Sequence, residues 1–399
     1  MRTGFILPPQ RPTDETPSLS AGDHSHREAW PYRTSLRRDG EGERRRSAAR
    51  PTANLRYFTG VAWHASERFT GALIRCDGTV EYITPAFERD KVAQITGVPG
   101  DICTWHEEES PYHLIADRLG NAGGLAVDEG VALFTWFGLC GAIDQARLLR
   151  GGTLINRLRC RKSAAEIALM QYAKDMTLEV QRRAWQSLAP GMRASEVAAY
   201  IDREHRALGG SGNTFCIVSF GEDTALPHGG EADRTLKEGD AVLIDTGTQI
   251  DGYNSDITRS YVFGEASPDY RRVWEAEKRA QASAFESAAV GALCESVDAA
   301  ARASLARDGF GPDYRLPGLP HRTGHGIGLE VHEAPNLVRG DRTMLAAGMC
   351  FSNEPMIVVP AKFGIRLEDH FHMTEDGPRW FTKPQPSLEE PFRGVAPWD

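Results

Sequence analysis

The sequence predicts an α+β protein in which an α/β domain ending near residue 159 precedes a larger α+β domain. Three observations carry this prediction. The 399 residues exceed what one ordinary core organises. Strand-like alternation is interleaved with helical text between residues 54 and 159. Beyond residue 160, long helical stretches are followed by short strand-like runs that carry carboxylates and histidines. Charged residues at 25% and hydrophobic residues at 41% are those of a soluble globular protein. The net charge of -9 argues against nucleic acid as the main partner. The longest mostly apolar run, 130–142, is too short to span a bilayer. Phe5-Ile6-Leu7 before two prolines is no signal-peptide core. Seven scattered cysteines without a CxxC point to reduced thiols and a cytoplasmic location.

The first fifty residues stand apart. They hold ten arginines, no lysine and seven acidic residues, whereas the remaining chain holds 36 basic and 48 acidic residues. This segment is expected to be a disordered basic tail, or the product of GC-rich coding sequence read out of frame. A nucleic-acid or membrane arm is the weaker expectation, because no aromatic or heptad pattern accompanies the charge. The gene sequence and the intact mass decide the reading-frame question. Domains are therefore expected at 1–50, 51–159 and 160–399.

From Asn54 the text is orderly. NLRYFTGVAW and FTGALIRCDGTVEYIT read as strands, with Asp77-Gly78 as a hairpin turn. GLAVDEG and a helical stretch after Lys91 complete the first domain. Ser163-Ala164-Ala165-Glu166 is a capping box before a long helix. Further helices are expected from about Ser195 to Gly209, over 267–289 and over 296–308. CIVSFG, AVLIDTG, ITRSYVFG, MCFSNEPMIVV and GIRLEDHFHM read as strands. There is no convincing short-period repeat.

The strands of the second domain carry the chemistry. Asp251-Gly252 is a two-residue hairpin signal, and the register it sets places Asp256 opposite Gly247. Asp245 and Asp256 then share one face as diagonal neighbours. Two like charges so close need a cation between them, and a divalent metal is the usual solution. Glu354 and Glu368 are nearly equidistant from the loop at Pro360–Gly364, so they face one another across a second hairpin. His325, in GHGIGLEVHE, adds an imidazole to the four carboxylates. An oxygen-rich set with one histidine suits Mn first, with Zn, Co or Fe as alternatives. Neither a phosphate loop nor an HExxH site fits this text.

The set Asp245, Asp256, His325, Glu354, Glu368 resembles the five-ligand site of the pita-bread metallopeptidases. These include methionine aminopeptidase, aminopeptidase P and prolidase. The resemblance spans roughly residues 54–383 and rests on VLIDTG, NSDITRSYVFG, HRTGHGIGLEVHE, NEP and IRLED. NLRYFTG resembles the start of a creatinase-like α/β N-terminal domain, which points to the creatinase/aminopeptidase P/prolidase branch and to prolidase, an Xaa-Pro dipeptidase, within it. The implied fold is a pita-bread catalytic domain behind that creatinase-like domain. The resemblance implies two divalent metal ions. Asp245 binds one, Asp256 and Glu368 bridge both, and His325 and Glu354 bind the other. It also implies substrate-binding places for His228, His321, His332 and Arg366, the arginine also supporting the carboxylate shell. Catalytic roles fall to Glu354, His332 and His228, and the family suggests a homodimer.

The expected reaction is hydrolysis of Xaa-Pro dipeptides by a metal-activated hydroxide, with Glu354 shuttling the proton. A dipeptidase also needs a cation for the substrate carboxylate, and Arg322, Arg339 and Arg342 are candidates. The same site would serve an aminopeptidase P-like enzyme acting on longer Xaa-Pro peptides, or an amide hydrolase of the ectoine-derivative type. A creatinase-like amidinohydrolase would be expected to lack several of the five ligands. A non-catalytic binding module is set apart by metal content.

Overall fold

A computed structural model describes the backbone of residues 46–49, and residues 53–121, 123–396 and 398. The expectations for the Arg-rich segment lie outside the described residues, except that 46–49 form a strand. That strand, β1 (Arg46–Ala49), joins β2 (Gly71–Arg75), β3 (Val80–Pro85), β4 (Asp101–Trp105), β5 (Leu125–Val127) and β6 (Leu148–Arg150). Their order in one sheet is β4-β3-β2-β1-β5-β6, with β1 antiparallel to β2 and parallel to β5. The expected turn at Asp77-Gly78 is present. Gly78 takes φ 90°, and the Asp77 carboxylate accepts from the Thr79 amide at 2.9 Å.

The helices of this domain are α1 (Ala53–Thr59), α2 (Arg89–Ile95), α3 (Pro111–Leu119), α4 (Leu133–Ala142) and α5 (Gly152–Arg159). Alternate strand residues feed two cores. Leu73, Ile83, Leu125 and Val127 pack with Ile115, Leu119 and Leu139, whereas Ala72, Ile74, Val80 and Tyr82 pack with Leu55 and Val92. One expectation fails here. NLRYFTG reads as a strand by its aromatic and β-branched content, but it folds as α1. Gly60 at φ 78° closes the helix, its amide bonding the Arg56 carbonyl, and Thr59 Oγ1 bonds back to the Leu55 carbonyl.

The second domain begins at α6 (Ala164–Ser187). Its capping box is formed as expected, with Ser163 Oγ accepting from the Glu166 amide and Glu166 accepting from the Ser163 amide. α7 (Ala194–Ala207), α8 (Pro268–Ser287) and α9 (Cys294–Arg307) follow. The helices form two equivalent pairs. Behind α6, the Gly191 amide bonds the Leu236 carbonyl and the Leu236 amide bonds the Met192 carbonyl, both at 2.8 Å. Behind α8, Gly291, Leu345 and Ala292 repeat those bonds at the same 2.8 Å. This is a long-range structural repeat that a search for short periods misses.

Each pair backs a sheet. β7 (Phe215–Phe220), β8 (Ala241–Gly247) and β11 (Ile257–Val262) form one in the order β11-β8-β7, and β9 (Gln249–Ile250) with β10 (Tyr253–Asn254) extends its hairpin. β12 (Gly324–Gly326), β13 (Glu333–Leu337), β14 (Cys350–Asn353), β17 (Asp369–Thr374) and β18 (Gly377–Trp380) form the other, in the order β13-β12-β14-β17-β18. β15 (Met356–Val359) and β16 (Phe363–Arg366) pair separately. Val180, Ala184, Val197 and Ile201 from one helix pair, with Val273, Trp274 and Ala280 from the other, pack on Val242, Ile244, Met356 and Ile365. The carboxylates sit between the two halves. Among the described residues, no helix is long and apolar enough to cross a membrane.

The two domains are joined by a buried cluster. Arg159 bonds the Asn54 side chain at 2.6 Å and pairs with Glu333, and Lys162 reaches Glu333 at 3.0 Å. Glu333 follows His332, so this clamp anchors the GHGIGLEVHE segment to the first domain.

Candidate metal centre

Two interrupted hairpins build the site. In the first, Tyr253 pairs with Ile250 and Asn254 with Gln249, and the same register resumes at Ile257 with Thr246 and Thr258 with Asp245. The turn at Asp251-Gly252 and the register are those read from the sequence. Asp256 lies in the gap, opposite Gly247. A Cβ on Gly247 would come within 2.0 Å of the Ser255 carbonyl oxygen, so only glycine allows this approach.

The second hairpin repeats the device. Met356 pairs with Arg366 on one side and Asn353 with Asp369 on the other, in one continuous register. Glu354 and Glu368 therefore face each other where the ladder is broken. Their amides bond other strands instead: Glu354 donates to the Thr323 carbonyl at 2.8 Å, and Glu368 to the Thr258 carbonyl at 3.1 Å. The first bond ties Glu354 to the residue before β12 in its own sheet, and the second carries Glu368 to β11 in the other half of the domain.

His325 completes the group. Its amide bonds Ser352 Oγ at 3.0 Å, and its Nδ1 lies 3.0 Å from the Gly326 carbonyl, which assigns the proton to Nδ1. Nε2 is then free as a donor atom. It lies 3.3 Å from Glu354 Oε1 and 3.7 Å from Asp256 Oδ2. Thr258 Oγ1 donates to Glu368 Oε2 at 2.7 Å, and Arg366 Nη2 donates to Asp245 Oδ2 at 2.5 Å. Asp245 Oδ1, Asp256 Oδ1 and Glu368 Oε1 are buried without a hydrogen-bond partner among the described residues.

Buried carboxylate oxygens without partners call for a cation. The donor set fits one. Asp256 with His325 and His332, His325 with Glu354 and Glu368, and Asp256 with Glu368 and His370 each bring donor atoms within 4.8 Å of one another. Asp245 adjoins these groups through its charge on Asp256 and Glu368.

Without a cation the carboxyls resist ionisation. Burial, and then Glu368 and Asp245, push Asp256 well above the usual carboxylate range. Burial, and then Glu354 and Asp245, do the same to Glu368. Burial raises Glu354 to about 7, against the pull of Arg366. Burial also holds His325 well below the usual imidazole value and therefore neutral.

The sign of the resulting pH dependence follows. A carboxyl whose folded pKa is raised favours folding most below its unfolded value near 4.5, and loses that contribution as pH rises toward about 7. A divalent ion restores it by binding the ionised form. Metal affinity is therefore expected to rise between about pH 5 and 7, with proton release on binding. Calorimetric titration in buffers of different ionisation enthalpy measures both, and a pH-independent affinity without proton release contradicts this account.

The substrate-side residues gather at the same place. His332 is exposed, and its ring stands edge-on to His325 with centroids 4.3 Å apart. Its pKa is lowered by partial burial and by Arg322, with His228 adding a smaller effect. His228 is exposed and follows Pro227, whose carbonyl accepts from Arg366 Nη1 at 3.0 Å. His321 Nδ1 lies 2.7 Å from the Arg322 carbonyl, its Nε2 has no partner among the described residues, and burial lowers its pKa to about 4.

Arg366 is buried, and its remaining contacts are Thr258 Oγ1 at 3.1 Å and the Met356 sulfur. Its donors thus go to Asp245, Thr258 and the Pro227 carbonyl. These bonds tie Arg366 to the carboxylate group and to the loop before His228. Of the three arginines proposed for a substrate carboxylate, Arg339 pairs with Asp313 on the surface. Arg322 acts on His332, His321 and Glu354, and bonds Asn336 Oδ1 at 3.0 Å.

Sequence reasoning missed Thr258, Arg259, Asp369 and His370. Thr258 and Arg259 lie in the quoted run ITRSYVFG, and Asp369 and His370 follow Glu368 directly. Their nearness to known donors was the available signal.

Residues 168–375 match metallopeptidase family M24, and residues 48–161 match the creatinase/prolidase N-terminal domain. The chain belongs to metallopeptidase family M24. This M24 enzyme is 37% identical over 331 residues to the probable dipeptidase PepE of Mycobacterium tuberculosis, covering 82% of this chain and 87% of that protein. It is 32% identical to an Xaa-Pro dipeptidase of Lactobacillus helveticus, covering 84% and 92%. The crystal structure of dipeptidase PepE from Mycobacterium ulcerans superposes with a TM-score of 0.82 at 32% identity, covering 91% of this chain and 96% of that one. The chain is thus a divalent-metal hydrolase with a creatinase-like N-terminal domain and a pita-bread catalytic domain.

Proposed function

We propose that this M24 metallopeptidase hydrolyses Xaa-Pro dipeptides, with two divalent ions held by Asp245, Asp256, His325, Glu354 and Glu368. The observation that carries the dipeptide reading is Arg322. A half-buried guanidinium stands beside His332 and His321 at the edge of the carboxylate group, bonded to the neutral Asn336 rather than to an acid. A free α-carboxylate is the anion such a cation matches. The relatives named as Xaa-Pro dipeptidases support the proline preference.

Bound divalent ions supply the chemistry by lowering the pKa of a water and polarising the scissile carbonyl. The residues do the rest. Glu354 is partly exposed at the edge of the site, where its carboxylate can carry a proton from the nucleophile to the proline nitrogen. His332, neutral at pH 7, donates toward the developing oxyanion, with His228 near enough to act on it through charge. His321 walls the proline subsite. Arg366 fixes Asp245 and, through the Pro227 carbonyl, the loop that presents His228.

Manganese is the first choice of metal for this five-residue set. A boundary between the two domains at 159/160 follows the end of α5 and the cap of α6, while β1 places Arg46–Ala49 in the first domain. Seven free thiols support a cytoplasmic location. A homodimer is supported by exposed Leu133 and Phe137 on α4.

The test is hydrolysis of Xaa-Pro against Xaa-Pro-Yaa by metal-stripped protein, with and without Mn²⁺. Metal-dependent cleavage confined to dipeptides supports the proposal. Cleavage of tripeptides makes the enzyme aminopeptidase P-like. Arg322→Ala is expected to raise KM for dipeptides by about 10- to 100-fold, the loss of one charge-assisted pair, with kcat little changed. An unchanged KM removes Arg322 from the site.

A further inference from the structure

His370 has no role in the chemistry described so far, and its placement asks for one. It lies on β17, two residues beyond Glu368 and on the same face of the strand. Its relative exposure is 0%. Neither ring nitrogen makes a hydrogen bond among the described residues. A buried imidazole with only the Asp256 backbone close to it is costly, and an apolar side chain would fill the same space without that cost.

The ring is aimed at donors that also lack partners. Its Nε2 lies 3.9 Å from Glu368 Oε1, which has no hydrogen-bond partner. Asp256, Glu368 and His370 together place one donor atom each within 4.8 Å. Two donors bound to one ion at about 2.1 Å are at most about 4.2 Å apart. The His370–Glu368 separation fits within that limit, as do the separations from His325 Nε2 to Glu354 and Asp256. The two imidazoles approach from different directions, with ring centroids 6.4 Å apart. The Asp256 backbone adjoins the His370 ring, and a backbone group is the usual partner that orients a ligating imidazole.

We propose that His370 is a sixth protein ligand, adding a second imidazole to the pair of ions held between Asp256 and Glu368. This rests on the five-residue metal reading and deepens it. A second nitrogen donor moves the site from a hard, oxygen-rich set toward borderline ions, so Co²⁺ and Zn²⁺ gain relative to Mn²⁺.

The test is X-ray absorption of the full chain loaded with Co²⁺, which counts imidazoles without relying on activity. Two imidazoles per bound pair of ions are expected in the parent protein, and one in either His370→Ala or His325→Ala. His370→Ala is also expected to bind its weaker Co²⁺ at least 10-fold less tightly by calorimetry. A single imidazole in the parent, unchanged in His370→Ala, overturns the proposal: His370 then serves only the Asp256 backbone. The parent count is read on unaltered protein, so a variant that misfolds does not decide the matter. If the parent binds no Co²⁺ at all, the five-residue reading falls, and this proposal falls with it.

Discussion

Asp256→Ala is expected to remove catalysis and bound metal together. Asp256 occupies the gap in the first hairpin, contributes to two of the three donor groups, and keeps a buried oxygen without a partner. No neighbouring side chain takes its place, because Gly247 stands opposite. Loss of metal-derived stabilisation worth several kcal/mol corresponds to a fall of about 1,000-fold or more in kcat/KM. The metal-free variant has an equally definite signature. Glu368 and Asp245 both repel Asp256 in the metal-free protein, so removing it relieves strain. Without metal, Tm of Asp256→Ala should therefore equal or exceed that of the parent; with metal, only the parent should gain. Parental metal stoichiometry or full activity in the variant would sink the site assignment.

Arg259→Met is expected to have the largest effect on stability. Arg259 and Asp369 are both completely buried and paired at 2.7 Å. Arg259 also donates to the Glu368 carbonyl at 2.9 Å and the Thr258 carbonyl at 3.0 Å. It thus binds the strand at Glu368 to the strand that follows Asp256. Removing the cation leaves Asp369, among the described residues, with Thr382 and Gln281 at 2.9 and 3.2 Å. Breaking a buried pair from one side costs roughly 3–5 kcal/mol. Thermal unfolding should show a fall in Tm of several degrees, and calorimetry a weaker metal affinity, since Glu368 loses its backbone anchor. The double variant Arg259→Met/Asp369→Leu should recover much of the lost Tm, because no unpaired charge remains. A single variant that melts within a degree of the parent would show that the pair contributes nothing.

Much of the metal centre was legible because hairpins are local. Asp251-Gly252 marks a turn, strand side chains alternate with period two, and together they place Asp256 opposite Gly247 without knowledge of any distant residue. The same arithmetic set Glu354 against Glu368. The cap of α6 was legible for the same reason, since Ser163 and Glu166 are partners within one turn. The misreading of α1 shows the limit of local signals. Tyr57, Phe58 and Thr59 favour a strand, but Gly60 at positive φ ends a helix, and Asn54 is held by Asp128 and Arg159, 74 and 105 residues away.

Ligand types, their order along the chain, the two registers and the family resemblance were thus determined by the sequence itself, because each depends on neighbours in the chain. Only the tertiary structure decided which arginine stands at the site, that Arg366 turns to Asp245, that Arg259 pairs with Asp369, and that His370 points at Glu368. Those pairings join residues far apart in sequence. Their partners are selected by how two halves of a domain close on each other, and no short stretch of text records that geometry.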